Sequence, residues 1–176
     1  MNGAKLRLTW LFQLALILFS ALIIFFHLIP FTLTPTPLPA PDILFCIISA
    51  LIIRRPEIVP FWIVGLIYFG FDVFLMRPLG IWTICILGAT EALRSNIDAF
   101  RENLFLFEWL YTSLIFLLAL IARQTLLAVS FASTPPAQSM VWEFVFTVAA
   151  YPIVLFIITY ILRIKKPALG ALGYKG

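Results

Sequence analysis

Asp72 sits in the stretch FGFDVFLMRPLG at residues 69–80, a carboxylate among phenylalanines followed closely by Arg77, Pro78 and Gly80. A carboxylate in such surroundings has two uses. It can accept hydrogen bonds from backbone amides that have no other partner, or it can hold a ligand or a partner protein. Asp72 precedes Met76 by four residues, about 6 Å along a helix. That is a shallow position; a charge at a bilayer centre costs at least about 2.5 kcal/mol, and less towards the interface. Gly65, Tyr68, Phe69, Asp72 and Met76 recur at three- and four-residue steps and share one helix face. Gly65 lets a neighbouring helix approach that face closely. The structural reading of Asp72 is that it satisfies donors at the turn, including amides at the start of the helix that Pro78 opens. The chemical reading is a ligand or partner carboxylate, and the two are compatible.

The other charged residues fall at the ends of apolar runs. Asp42 follows Pro41 and precedes such a run, an N-cap placement. Arg54 and Arg55 close the same run. Glu91 and Arg94 are three residues apart and can pair on a helix. Asp98, Arg101 and Glu102 read as a solvated loop helix. For Arg123 and Glu143 two arrangements are open. If the fifth run ends at Ala122, Arg123 is at the surface within reach of Glu143; if that run is Leu110–Val129, Arg123 lies deep and must be paired. His27, the one histidine, reads as interfacial. Cys46 and Cys85 lie inside apolar runs, far from any His or Cys partner, and read as small buried hydrophobes. The sequence contains no glycine-rich phosphate loop, nucleophile motif or metal-ligand cluster. A non-catalytic protein without cofactor or metal is therefore expected.

The elements that position these residues follow from composition. The chain of 176 residues is 63% hydrophobic and 11% charged, with a mean hydropathy of +1.09. Soluble domains are roughly 45–50% apolar and about 25% charged, so lipid is the expected solvent. The net charge of +4 comes from basic residues at segment ends, which is a topology signal rather than a nucleic-acid footprint. The pattern predicts an all-α, single-domain, polytopic membrane protein with six spans at about 8–29, 42–55, 58–76, 79–93, 104–122 and 141–162. The first run, Leu8–Ile29, is about 22 residues, longer than the ~7–15 of a signal-peptide core, and is expected to be retained. Pro56 and Pro78 are expected to open the third and fourth helices, and Pro152 to kink the sixth. The connector PFTLTPTPLPAP should be stiff and extended.

Two spans are short. Asp42–Ile53 measures about 18 Å and Leu79–Leu93 about 22 Å as helix, against a hydrocarbon core of about 30 Å. They are expected inside the bundle, with polar ends contacted by protein or water. A re-entrant hairpin is the alternative for the second segment. With the N-terminus inside, ten of the twelve basic residues fall on the cytoplasmic side and only Arg77 and Arg123 on the other. Both termini are therefore expected in the cytoplasm.

Read in order, "PD" at 41–42, "RRPE" at 54–57, Gly70 and Asp72, "PLG" at 78–80 and "ATEALR" at 89–94 resemble the rod shape-determining protein MreD family over residues 41–94. The resemblance implies a non-catalytic inner-membrane scaffold of the bacterial cell-elongation complex. Such a protein binds MreC and helps couple MreB filaments to peptidoglycan synthases. It also implies a fold similar to the substrate-binding component of energy-coupling-factor transporters. It makes Asp72, Pro78 and Gly80 the signature turn, with Asp42, Arg54 and Arg55 in support and Gly70, Glu91 and Arg94 as further structural or partner-binding positions. A small-molecule-binding component of a membrane transporter is the alternative function. That alternative predicts an outward-facing pocket near Asp72, Tyr68 and the 30–41 connector.

Overall fold

A computed structural model describes residues 3–28, 39–97, 100 and 105–161. These residues form six α-helices: α1 Gly3–Leu28, α2 Ile43–Arg54, α3 Phe61–Phe74, α4 Ile81–Ser95, α5 Phe105–Val129 and α6 Ala137–Phe156. A π-helical turn, Ile157–Ile161, continues α6. The expected stiff connector over 30–38, the loop helix around Asp98, Arg101 and Glu102, and the basic tail from 162 lie outside the described residues.

Among the described residues, three segments are long and apolar enough to cross a membrane: Thr9–Leu28, Phe105–Val129 and Ala137–Tyr160. Helices α2, α3 and α4 have 12, 14 and 15 residues, or about 18–23 Å each. The shortness of α2 has a packing reason. It lies against α4 and α6, and ten of its twelve residues are buried. A helix apolar on every side needs neighbours on every side, and each of its ends is met by polar groups of other helices. α3 packs on α4 and on α1, and α4 packs on α5. The expected close approach at Gly65 is to α4, where a β-carbon would stand 3.7 Å from Leu87. At Gly70 the neighbour is Ile24 of α1, 3.9 Å away. An apolar cleft of about 490 Å³ remains between α1, α2 and the end of α6, walled by Phe12, Leu16, Phe19, Ile47, Leu51 and Ile158.

Several boundaries differ from the sequence reading. α3 begins at Phe61, not near Ile58, and Pro60 rather than Pro56 precedes it. The residue before a proline is turned away from helical backbone, so Val59 stays in the turn and is fully buried there. α4 begins two residues after the expected Leu79, at Ile81, behind Gly80 at φ +83°. That left-handed backbone favours glycine. α5 continues seven residues past Ala122 to Val129, and α6 starts at Ala137 rather than Val141.

The ends of α3 and α5 explain why they were hard to read. In α3 the Met76 amide donates to Val73 O (3.3 Å) and the Arg77 amide to Asp72 O (3.0 Å). In α5 the Phe131 amide donates to Ala128 O (3.2 Å) and the Ala132 amide to Leu127 O (3.1 Å). Both are Schellman closures. Each places a residue other than glycine at positive φ, Met76 at 50° and Phe131 at 53°.

Pro152 lies inside α6. Proline has no N–H for the carbonyl four residues back, which here is Val148. Trp109 of α5 fills the vacancy: its Nε1 donates to Val148 O at 3.0 Å. The helix runs on through Pro152, and the missing hydrogen bond becomes a joint between two helices.

Candidate functional site

The buried charged residues, with several hydroxyls, gather into four joints. The first is the α3–α4 corner. Asp72 is completely buried. Its Oδ2 accepts from the Gly80 amide (3.0 Å), the Thr83 amide (3.2 Å) and the Thr83 hydroxyl (2.8 Å). These amides belong to the cap and first turn of α4, which no other side chain caps. A carboxylate at a helix N-terminus is favoured by both its hydrogen bonds and the helix dipole. Pro78 occupies the reversal two residues before the Gly80 cap. Asp72 Oδ1 is buried and has no partner among the described residues.

The second joint is at the start of α2. Asp42 caps the helix by accepting from the Phe45 amide at 2.8 Å. It also accepts from the Tyr68 hydroxyl of α3 at 3.2 Å, and its own amide donates to Thr147 Oγ1 of α6 at 2.9 Å. Thr147 in turn donates to Glu143 O at 2.7 Å. One cap therefore fastens three helices.

The third joint is at the other end of α2. Arg54 Nη1 donates to Glu108 Oε1 of α5 at 2.8 Å, and Tyr151 of α6 donates its hydroxyl to the same oxygen at 2.9 Å. Arg54 is 5% exposed and Glu108 1%. Sequence analysis did not single out Glu108. Its signal was a lone carboxylate just inside the fifth apolar run, and a charge there needs a partner. Tyr151, Thr83 and Thr147 were missed for a plainer reason: a hydroxyl in an apolar run carries no pairing signal of its own. Arg55, next in sequence to Arg54, is exposed; its backbone amide closes α2 on Leu51 O.

At the same end, Arg94 Nη2 donates to Val59 O at 2.6 Å, and its Nε lies 3.3 Å from Glu91. Glu91 is half exposed, so this pair adds little energy. The bond to Val59 O anchors the turn before α3.

The fourth joint settles the position of Arg123. It lies within α5 and is 8% exposed. Glu143 of α6 takes it in a two-pronged pair, Nη1–Oε1 at 3.0 Å and Nη2–Oε2 at 2.7 Å. The guanidinium also stands 4.6 Å from the centre of the Trp82 ring of α4, close enough for cation–π attraction. The arrangement combines both readings left open by the sequence: a helix that runs to Val129, and an arginine paired with Glu143.

His27 is exposed and lies 3.1 Å from Ile23 O of its own helix. Cys46 and Cys85 are buried free thiols.

Gly70, Asp72, Pro78 and Gly80 thus fall at or near one corner, and Asp42 joins the same end of the bundle through Tyr68. Arg54, Arg55, Glu91 and Arg94 fall at the opposite end. Two cavities open at the Arg77 end. One of about 60 Å³ is walled partly by Asp42, Arg77 and Glu143; the other, of about 370 Å³, is walled partly by Arg77, Trp82 and Arg123. Neither Asp72 nor Tyr68 lines either cavity. Comparison with protein-family models, with curated proteins and with solved structures finds no match to this chain.

Proposed function

We propose that this chain is a non-catalytic membrane scaffold of the MreD type. In this reading it crosses the bacterial inner membrane six times with both termini in the cytoplasm. It binds MreC and through it helps couple MreB filaments to the peptidoglycan synthases.

The observation that carries the reading is how the residues of the resemblance are used. Asp42, Arg54, Asp72, Gly80 and Arg94 all take part in internal hydrogen bonds between helices or across turns. Their side chains and amides fix the relative positions of α2, α3 and α4. Rigid corners and a shaped apolar exterior suit a protein that grips partners through helix faces, where van der Waals packing is the main attraction in lipid. Large apolar side chains such as Trp62, Leu66 and Phe69 on α3 and Leu110, Leu114 and Leu118 on α5 face outward. The fold proposed for this role resembles the substrate-binding component of energy-coupling-factor transporters.

The test is affinity purification of the tagged full chain from a rod-forming bacterium after mild detergent extraction, together with depletion of the native protein. Co-purification of MreC and conversion of rods to spheres are expected. Rods that persist through depletion would refute the proposal. A reporter fused after Gly176 tests topology independently and is expected to be active only in the cytoplasm.

A further inference from the structure

The cavity of about 370 Å³ at the Arg77 end is built unlike the apolar cleft on the other side of the bundle. Its walls come from the α3–α4 reversal, the end of α5 and the start of α6. They bring together two guanidinium groups, Arg77 and Arg123, with one carboxylate, Glu143. Glu143 has both oxygens engaged by Arg123, so that pair is internally neutral. Arg77 is exposed, and among the described residues no side chain accepts from it. Asp42, in the adjoining small cavity, is already held by Phe45 and Tyr68 and forms no ion pair with Arg77. Among the described residues, the uncompensated charge lining the larger cavity is positive.

Two further features point the same way. Arg123 has a side chain only 9% exposed, and its Nε has no acceptor. A guanidinium offers five donors in a fixed fork; Glu143 takes up the two Nη atoms here and leaves the buried Nε unpaired among the described residues. α6 also begins here. Its N-cap is Pro136, which supplies no side-chain cap, and its first turn contains no acidic residue. The Ser139 amide donates to Pro136 O, so what this 20-residue helix adds to the wall is the positive end of its dipole. The hydroxyls of Ser133 and Ser139 line the same space and have no side-chain hydrogen-bond partner among the described residues.

The volume and the remaining walls narrow the ligand class. The space exceeds what a bare inorganic anion needs. Its rim carries Met76, 95% exposed, and Ile81 and Leu127 continue the wall in apolar surface. We infer that this vestibule binds the phosphate of a lipid headgroup, with Arg77, the Arg123 side of its wall and the Ser133 and Ser139 hydroxyls facing the phosphate and the apolar rim facing the root of the acyl chains. The inference does not depend on the scaffold reading.

The experiment uses the full chain in nanodiscs that contain phosphatidylglycerol bearing a photoactivatable group next to its headgroup. Cross-linked peptides are mapped after illumination. Labelling is expected within residues 76–82 and 133–139. Arg77→Gln is expected to reduce it about tenfold, the loss of one charge-assisted contact, and Arg55→Gln at the opposite end to leave it unchanged. Labelling is expected to resist millimolar inorganic phosphate; complete competition by it would assign the site to free phosphate and overturn the lipid inference. Equal labelling of Arg77→Gln and the parent protein would overturn the inference. So would equal labelling of these segments by a diacylglycerol probe that carries no phosphate.

Discussion

Replacing Asp72 tests the corner that organises the α3–α4 pair. Its Oδ2 accepts three hydrogen bonds, two of them from the buried Thr83 amide and hydroxyl and one from the partly buried Gly80 amide. In Asp72→Ala all three donors lose their acceptor. The Gly80 amide can turn to water, and the Thr83 hydroxyl can rotate to a carbonyl of its own helix. The Thr83 amide has no such exit. A buried donor left unpaired costs about 1–3 kcal/mol, and bonds to a charged acceptor contribute about 1.5–3 kcal/mol each. Asp72→Ala is therefore expected to cost about 3 kcal/mol. Asp72→Asn keeps one oxygen in place and loses the charge, at about 1–2 kcal/mol. Thr83→Val removes one donor together with its share of the acceptor, at about 1 kcal/mol. Unfolding by SDS titration in mixed micelles, followed by tryptophan fluorescence, gives the order. Glu57→Gln, at an exposed position, serves as the reference and should stay within about 0.5 kcal/mol. If Asp72→Ala destabilised no more than Glu57→Gln, the carboxylate would not be holding the corner. If Asp72→Asn matched Asp72→Ala, charge rather than acceptor geometry would be the cause.

Three other outcomes follow from the joints. Arg54→Met takes the Arg54 cation from the buried Glu108 and is expected to cost about 3–5 kcal/mol, whereas adding Glu108→Met should recover most of that loss; strictly additive effects in the double-mutant cycle would contradict the pairing. Trp109→Phe should cost about 1–3 kcal/mol by stranding Val148 O. The same change should cost clearly less in a Pro152→Ala background, where residue 152 regains an amide for that carbonyl, and an equal cost in both backgrounds would show that Trp109 acts only through packing. Gly80→Ala meets no atom within 4 Å yet must adopt left-handed backbone, so a loss of about 1 kcal/mol is expected; unchanged stability on the same titration would refute the backbone argument.

Much of the helical plan was legible because lipid solvation and periodic sequence leave strong marks. The six apolar runs, the cap at Asp42, the Glu91–Arg94 spacing and a corner at Asp72 with Pro78 and Gly80 all rest on neighbours within about ten residues of each other. Local chemistry fixes such features, since an N-cap needs only the next turn and a proline acts on its immediate neighbours. Boundaries failed where the local signal was absent or doubled. Schellman closures at Met76 and Phe131 lack the usual glycine, so the true end of α5 had no marker. Near α3, Pro56 drew the expected start, whereas Pro60, which keeps Val59 out of helical backbone, sets the observed one.

What only the tertiary structure decided is which distant residues meet. Arg54 and Glu108 are 54 positions apart, Asp42 and Thr147 105 apart, and Trp109 and Val148 39 apart. Composition requires that each buried charge or orphan carbonyl find a partner, because an apolar medium supplies none. It does not say which partner. That choice was made by the packing of α2 against α4 and α6 and of α5 against α6, which brings the Arg54 and Arg123 guanidinium groups within hydrogen-bond distance of carboxylates.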